Sequence, residues 1–233
     1  MLQLIAAGGE DDWILDGAVE PLAGREQGVL RLARKADVLK GQETQIAVAL
    51  GVEDDDVFVF NKPAGLAVQG GSGTYKHIDG MLGAFRDRSG QRPRLVHRLD
   101  KDTSGCLLIA KTRFAASALA KNFRSRSARK IYWALVAGVP KPKQGRISTY
   151  LAKEESEDDS IMRVAKHGDE GASHAVTYYA VVETAAQKLA WVSLKPVTGR
   201  THQLRVHASA MGWPIVGDNI YGNGPRFGEP RLH

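Results

Sequence analysis

The segment from Leu95 to Lys111, L-V-H-R-L-D-K-D-T-S-G-C-L-L-I-A-K, constrains this chain more than any other stretch. Side chains alternate along an extended backbone, so Arg98 and Asp100 point to one side while His97 and Leu99 point to the other. Asp102, Thr103, Ser104 and Gly105 supply the local hydrogen-bonding groups and the permissive glycine of a tight turn. Cys106 to Ala110 follows as a continuous apolar run of strand length. The pattern predicts a carboxylate held at the mouth of a turn, fixed from below by a core strand, with a guanidinium beside it. On pattern alone the plainer reading is favoured, in which Asp100 and Asp102 cap a turn and Arg98 is a solvated neighbour.

Composition narrows the partners. A chain of 233 residues with 43% hydrophobic content can bury a real core, as one large domain or as one domain with a small appendage. The formal charge is +6, which suits a polyanion such as nucleic acid. Its distribution says more, because from Thr103 to Lys153 there are eleven Lys or Arg and no Asp or Glu. Cys106 is the only cysteine, so no disulfide framework or cysteine-based metal site is available, and a reducing cytoplasm is the expected setting. Its place among Leu107, Leu108 and Ile109 reads as core packing rather than as a nucleophile. The start lacks the basic leader and long apolar stretch of a signal peptide. No run approaches the ~20 apolar residues of a membrane span.

Val57 to Phe60 is a short β-favouring run, closed by the turn chemistry of Asn61, Lys62, Pro63 and Gly65. The loop Gly70, Gly71, Ser72, Gly73 is rich in glycine but lacks the following Gly-Lys-Ser/Thr of a P-loop, which argues against nucleotide hydrolysis. Ile78, Met81, Leu82 and Phe85 at helical spacing predict a short helix over His77 to Arg86. A second helix follows Thr112, with Phe114, Ala115, Ala118, Leu119, Asn122 and Phe123 as its inward stripe and Lys121, Arg124 and Arg126 off it. Ile131, Trp133 and Leu135 alternate with Tyr132, Ala134 and Val136 as in a strand. The acidic run Glu154 to Ser160 would repel phosphate and is placed away from any bound nucleic acid. His167 to His174 is turn-rich, and two further strands are expected over 175–183 and 189–196. After Gly199, Thr201 is the natural N-cap of a last helix with Leu204, Ala208 and Met211 facing in, stopped by Gly212 and Pro214. His202 and His207 are five apart, off a common helix face, so no metal is expected on them.

R-L-V-H-R-L-D-K-D-T-S-G resembles the catalytic signature of the RNA pseudouridine synthases of the RluA family, in the branch that includes the RluC-type enzymes of large-subunit ribosomal RNA. N-K-P-A-G-L-A-V-Q-G-G-S-G is similar to the motif that opens that family's catalytic domain. R-K-I-Y-W-A-L-V is similar to its second motif and G-R-T-H-Q-L-R-V-H to its third. The resemblance implies an α+β fold: a mixed, largely antiparallel sheet flanked by helices, with a central cleft. It divides the chain into an N-terminal appendage over 1–52 and a catalytic domain over 53–233. Gly28 to Ile46, with Arg31, Arg34 and Lys35, weakly resembles part of an S4-type RNA-binding module, and a plain extension packed on the main domain fits as well. The family normally continues past Pro225 to His233 into another strand, so the closing strand is expected to be missing.

The resemblance also assigns parts to residues. Asp100 becomes the catalytic aspartate, Tyr132 an aromatic lining the active site, and Arg205 the basic partner of Asp100. Arg98 matches a position that fills the place of the extruded base. His97, Leu99, Thr103, Lys62, Arg200 and His202 fall around the substrate. Turning uridine into pseudouridine breaks and remakes a bond between base and sugar with nothing gained or lost, so no cofactor or metal is implied. The expected partner is RNA, ribosomal RNA first, for a cytoplasmic monomer with no membrane or small-molecule partner. Transfer RNA as substrate, or a non-catalytic RNA-binding or ribosome-assembly protein on the same fold, are the alternatives. A hydrolase built on Ser104 and His97 lacks a nucleophile elbow.

Overall fold

The computed structural model describes residues 2–6, 49–71, 74–125, 128–154 and 161–222, with the backbone alone for 2–6 and 49–53. The N-terminal appendage, the acidic run and the last residues therefore lie wholly or mostly outside the described residues. In chain order the strands are β1 (Leu2–Ala6), β2 (Ala49–Glu53), β3 (Val57–Lys62), β4 (Arg94–Leu95), β5 (Ser104–Ala110), β6 (Lys130–Ala137), β7 (Gln144–Lys153), β8 (Met162–Ala165), β9 (Ser173–Ala185) and β10 (Leu189–Pro196). The helices are α1 (Ile78–Met81), which runs on into a 3-10 turn over Leu82–Phe85, α2 (Arg113–Arg124) and α3 (Gln203–Ala210). The chain falls into two compact units, one of Ala6–Arg129 and one of Met1–Ile5 with Lys130–His233. Antiparallel strands with short helices make this the expected α+β class. Among the described residues no helix is long and apolar enough to cross a membrane.

In the unit of Ala6–Arg129, β3 pairs antiparallel with β2 on one side and β5 on the other. Register sets Phe58 against Ile109 and Phe60 against Leu107, and all four are buried. Phe58 and Phe60 stack at 6.0 Å, and each meets Phe85 at 5.5 Å. The expected strand over Cys106 to Ala110 starts two residues earlier, at Ser104. Its burial alternates, with Gly105, Leu107 and Ile109 inside and Cys106 and Leu108 half-buried, as for a strand whose faces differ.

Thr112 caps α2 by accepting from the Ala115 amide at 3.0 Å, as its sequence position predicts. Of the expected inward stripe, Ala115, Leu119 and Phe123 are covered, while Phe114, Ala118 and Asn122 are exposed. Phe114 is 82% exposed, and Ala115, Ala116, Leu119, Ala120 and Phe123 carry the covered face. Nine residues at roughly 100° each place Phe114 across the helix from Phe123. Phe123 is seated against His97 with ring centroids 4.5 Å apart, and that contact fixes the helix rotation.

In the unit containing Lys130–His233, β6, β10, β9, β7 and β8 pair antiparallel in that order. Strands β7 and β8 were not expected, because R-I-S-T-Y-L alternates with polar residues on both faces. β9 and β10 join through Ala186 and Gln187, both at positive φ (49° and 54°), and the Lys188 amide closes the turn on the Ala185 carbonyl at 3.0 Å. This is the type I′ geometry that suits the strand twist but normally selects Asn and Gly. Leu204 and Ala208 of α3 join Ala134, Val136, Ile147, Tyr179, Ala190, Val192, Leu194, Trp213 and Ile215 in one core. The helix begins one residue later than expected. His202, not Thr201, stands at its N-cap, with a left-handed φ of 50°. Met211 is 45% exposed rather than inward.

Candidate active site

Within the unit of Ala6–Arg129, the signature forms its turn two residues ahead of the expected place. The Thr103 amide donates to the Asp100 carbonyl at 3.1 Å, so Lys101 and Asp102 are the corner and Ser104 already belongs to β5. Arg98 is exposed, Asp100 half-buried, and Leu99 and Thr103 are each 5% exposed. The alternation read from sequence thus holds at Arg98 and Leu99.

Lys62, at the end of β3, has no exposed surface. Its ammonium donates to the carbonyls of Pro63 (2.8 Å), Leu66 (2.7 Å) and Lys101 (2.9 Å). An ammonium has three donors, and all three are used. Burial pushes its pKa down to about 8, while the carboxylates of Asp102 and Asp100 pull the other way. His97 Nε2 accepts from the Leu108 amide at 2.9 Å, which requires that nitrogen to carry no proton, and its ring rests on Phe123. Lys62, His97, Leu99 and Thr103 were expected around the substrate. The Lys62 ammonium and His97 Nε2 are bonded to the chain, and Leu99 and Thr103 are buried.

Within the other unit, Tyr132 pairs with Leu194 in register and packs, half-buried, against the core that carries α3. The approach to α3 is held by side chains buried beneath it. Gln203 Oε1 accepts from Thr198 Oγ1 (2.7 Å) and the Arg200 amide (3.1 Å), and its Nε2 donates to the Val176 carbonyl and Thr177 Oγ1, both at 2.9 Å. His207, fully buried, meets Thr177 Oγ1 at 2.9 Å and Thr149 Oγ1 at 3.0 Å. Burial holds its pKa down at about 4, so the ring is neutral at physiological pH. This frame fixes Arg200, His202 and Arg205 relative to one another. Arg200 is exposed, with Nε on the His174 carbonyl at 3.1 Å.

Arg205 is gripped by a residue that the sequence reading did not single out. Its Nε donates to Asp218 Oδ2 and its Nη2 to Asp218 Oδ1, both at 2.8 Å, with side-chain exposures of 8% and 3%. Asp218 Oδ1 also accepts from the Ile220 and Tyr221 amides at 3.0 Å. Burial raises the Asp218 pKa, but the Arg205 hydrogen bonds and charge and the two amides outweigh it and hold the carboxyl below its ordinary value. The Arg205 guanidinium lies 5.2 Å from the Tyr221 ring centroid. The Tyr221 hydroxyl accepts from the Met162 amide at 2.8 Å and meets His202 Nδ1 at 2.9 Å. In sequence, D-N-I-Y-G reads as turn chemistry alone. No sequence signal marks Asp218, because the burial of Arg205 is itself a product of folding.

A family model described as RNA pseudouridylate synthase matches residues 56–210. Among curated proteins, the chain is 42% identical over 171 residues to ribosomal large subunit pseudouridine synthase C of Rickettsia bellii, covering 73% of this chain and 56% of that protein. It is 41% identical over 190 residues to RNA pseudouridine synthase 4, mitochondrial, of Arabidopsis thaliana, covering 73% of this chain and 40% of that one. Among solved structures it is similar to human RNA pseudouridylate synthase domain containing 4, with a TM-score of 0.65, 30% identity, and 87% of this chain and 78% of that chain covered. The chain spans about half the length of the curated relatives it matches.

Proposed function

Because this chain belongs to the RNA pseudouridylate synthase family, we propose that it isomerises specific uridines of RNA to pseudouridine, with large-subunit ribosomal RNA as substrate. Several of the relatives it resembles carry that substrate in their names, which supports the choice of RNA. The conversion breaks the bond from the sugar to the base nitrogen and forms one from the same sugar carbon to a base carbon. A proton leaves that carbon and one returns to the nitrogen, so the atoms balance with no oxidant or reductant. A carboxylate at the sugar and base, in a site that excludes water, is the group such chemistry needs.

Asp100 is that carboxylate in this reading, and Arg205 is its basic partner. Tyr132 offers an aromatic face to the extruded base. Arg98, exposed two residues before Asp100, fills the gap the base leaves, which lowers the cost of a few kcal/mol for breaking its stacking. Exposed Arg113, Lys121 and Arg124 on α2 hold phosphates. The same proposal has the chain acting as a monomer in the cytoplasm without a cofactor.

The observation that carries the reading is the turn at Asp100, closed by the Thr103 amide and pinned by the buried ammonium of Lys62. A carboxylate on so constrained a backbone is placed before substrate arrives. The test is carbodiimide-blocked primer extension on ribosomal RNA from cells with and without the gene. Stops in large-subunit RNA that vanish with the gene support the substrate. Unchanged stops there, with losses in transfer RNA, move the same chemistry to that substrate, and no loss in any RNA overturns the function.

A further inference from the structure

We infer that Asp218, together with Tyr221, is a positioning device that sets the Arg205 guanidinium in one orientation and couples it to the His202 ring. The inference rests on the proposed isomerase reading, in which Arg205 acts on the catalytic carboxylate, and it concerns what makes Arg205 fit to do so.

A buried ion pair is weak grounds for stability, since removing two charges from water costs about as much as their attraction returns. The Arg205–Asp218 pair is nonetheless buried, bidentate and almost free of solvent. Four hydrogen bonds converge on the Asp218 carboxylate, two from the guanidinium and two from the Ile220 and Tyr221 amides. Two parallel bonds to a planar fork fix its plane as well as its position, which a single contact does not. The Tyr221 ring under the guanidinium adds a second restraint on the same plane.

The coupling to His202 follows from the hydroxyl. It accepts from the Met162 amide and at the same time lies 2.9 Å from His202 Nδ1, so one oxygen ties the imidazole to the backbone of β8. His202 holds a left-handed φ of 50°, a conformation that strains a residue other than glycine. Its hydrogen bond to Tyr221 and the Gln203 frame behind it keep it there. One short segment, 218–221, thereby grips two side chains of the third motif from outside that motif.

The test uses the full chain with two readouts. In nitrogen-15 NMR of the RNA-free protein, Arg205 should give a slowly exchanging Nε–H signal that collapses in Asp218→Asn and survives in Tyr221→Phe. In turnover assays Asp218→Asn should lower kcat about 30-fold or more with KM within about threefold, and Asp218→Glu should recover part of the loss. Asp218→Asn should add little to Arg205→Lys, because both remove the same oriented fork. A persistent Nε–H signal in a folded Asp218→Asn protein overturns the inference, and so do losses that multiply in the double variant. If Asp218→Asn unfolds, Asp218→Glu in the same NMR measurement decides. A wild-type protein with the Nε–H signal but no turnover on any RNA sinks the isomerase reading and leaves the orientation of Arg205 standing.

Discussion

The ammonium of Lys62 lies 2.9 Å from the carbonyl oxygen of Lys101, thirty-nine positions later in the chain, and so ties the end of one core strand to the residue beside Asp100. The bond is backbone-directed, so it fixes the path of the turn and not merely one side chain.

Lys62→Met keeps the length and apolar stem of the side chain but leaves the carbonyls of Pro63, Leu66 and Lys101 without their donor. A buried group left without its partner costs about 1–3 kcal/mol. The variant should lose roughly 2–4 kcal/mol of stability by urea unfolding. The Thr103 amide, which closes the turn on Asp100, should exchange faster in native-state hydrogen exchange.

The β9–β10 hairpin carries strain that a better turn sequence relieves. Ala186 and Gln187 both hold positive φ, where Asn and Gly pay less. Ala186→Asn with Gln187→Gly should raise the unfolding free energy by about 1 kcal/mol. Turnover should be unchanged, since the turn touches none of the proposed site residues.

His207 gives the fold an acid-sensitive point. Its folded pKa of about 4 lies below the ordinary 6.5, so the unfolded chain takes up the proton first as pH falls. The contribution is fully present above about pH 6.5 and is lost on the way down to about pH 4, on the order of 3 kcal/mol in all. Urea midpoints at pH 7, 5.5 and 4.5 should fall steeply in the wild type. In His207→Gln, whose amide can still bond Thr177 and Thr149, that part of the fall should disappear.

What was legible in the sequence was local. Thr112 caps its helix, a turn precedes the strand of the signature though two residues earlier than expected, and β6 alternates, because each depends on residues within a few positions of one another. Contacts made by folding were hidden. Nothing near Lys62 in sequence says that its ammonium will be buried against carbonyls, one of them beside Asp100, and nothing in G-D-N-I-Y-G says that its aspartate will clasp Arg205. On α2 both Phe114 and Phe123 read as inward because they are equally apolar, and only the seat on His97 decides that Phe123 is covered and Phe114 exposed. Strand β7 escaped because R-I-S-T-Y-L carries polar residues on both faces, and β8 because M-R-V-A is only four residues long. His202 replaced Thr201 at the start of α3 because the buried Gln203 fixes where the helix begins, through bonds to Thr198 and the Arg200 amide.

The most direct measurement is tritium release from 5-tritiated uridine RNA by the wild type and Asp100→Asn, with RNA binding followed in the same samples. The isomerase reading expects release by the wild type, a loss of at least about a thousandfold in the variant, and unchanged binding, since the carboxylate acts on the reacting atoms and contributes little to holding phosphates. Release by Asp100→Asn at the wild-type rate would contradict it.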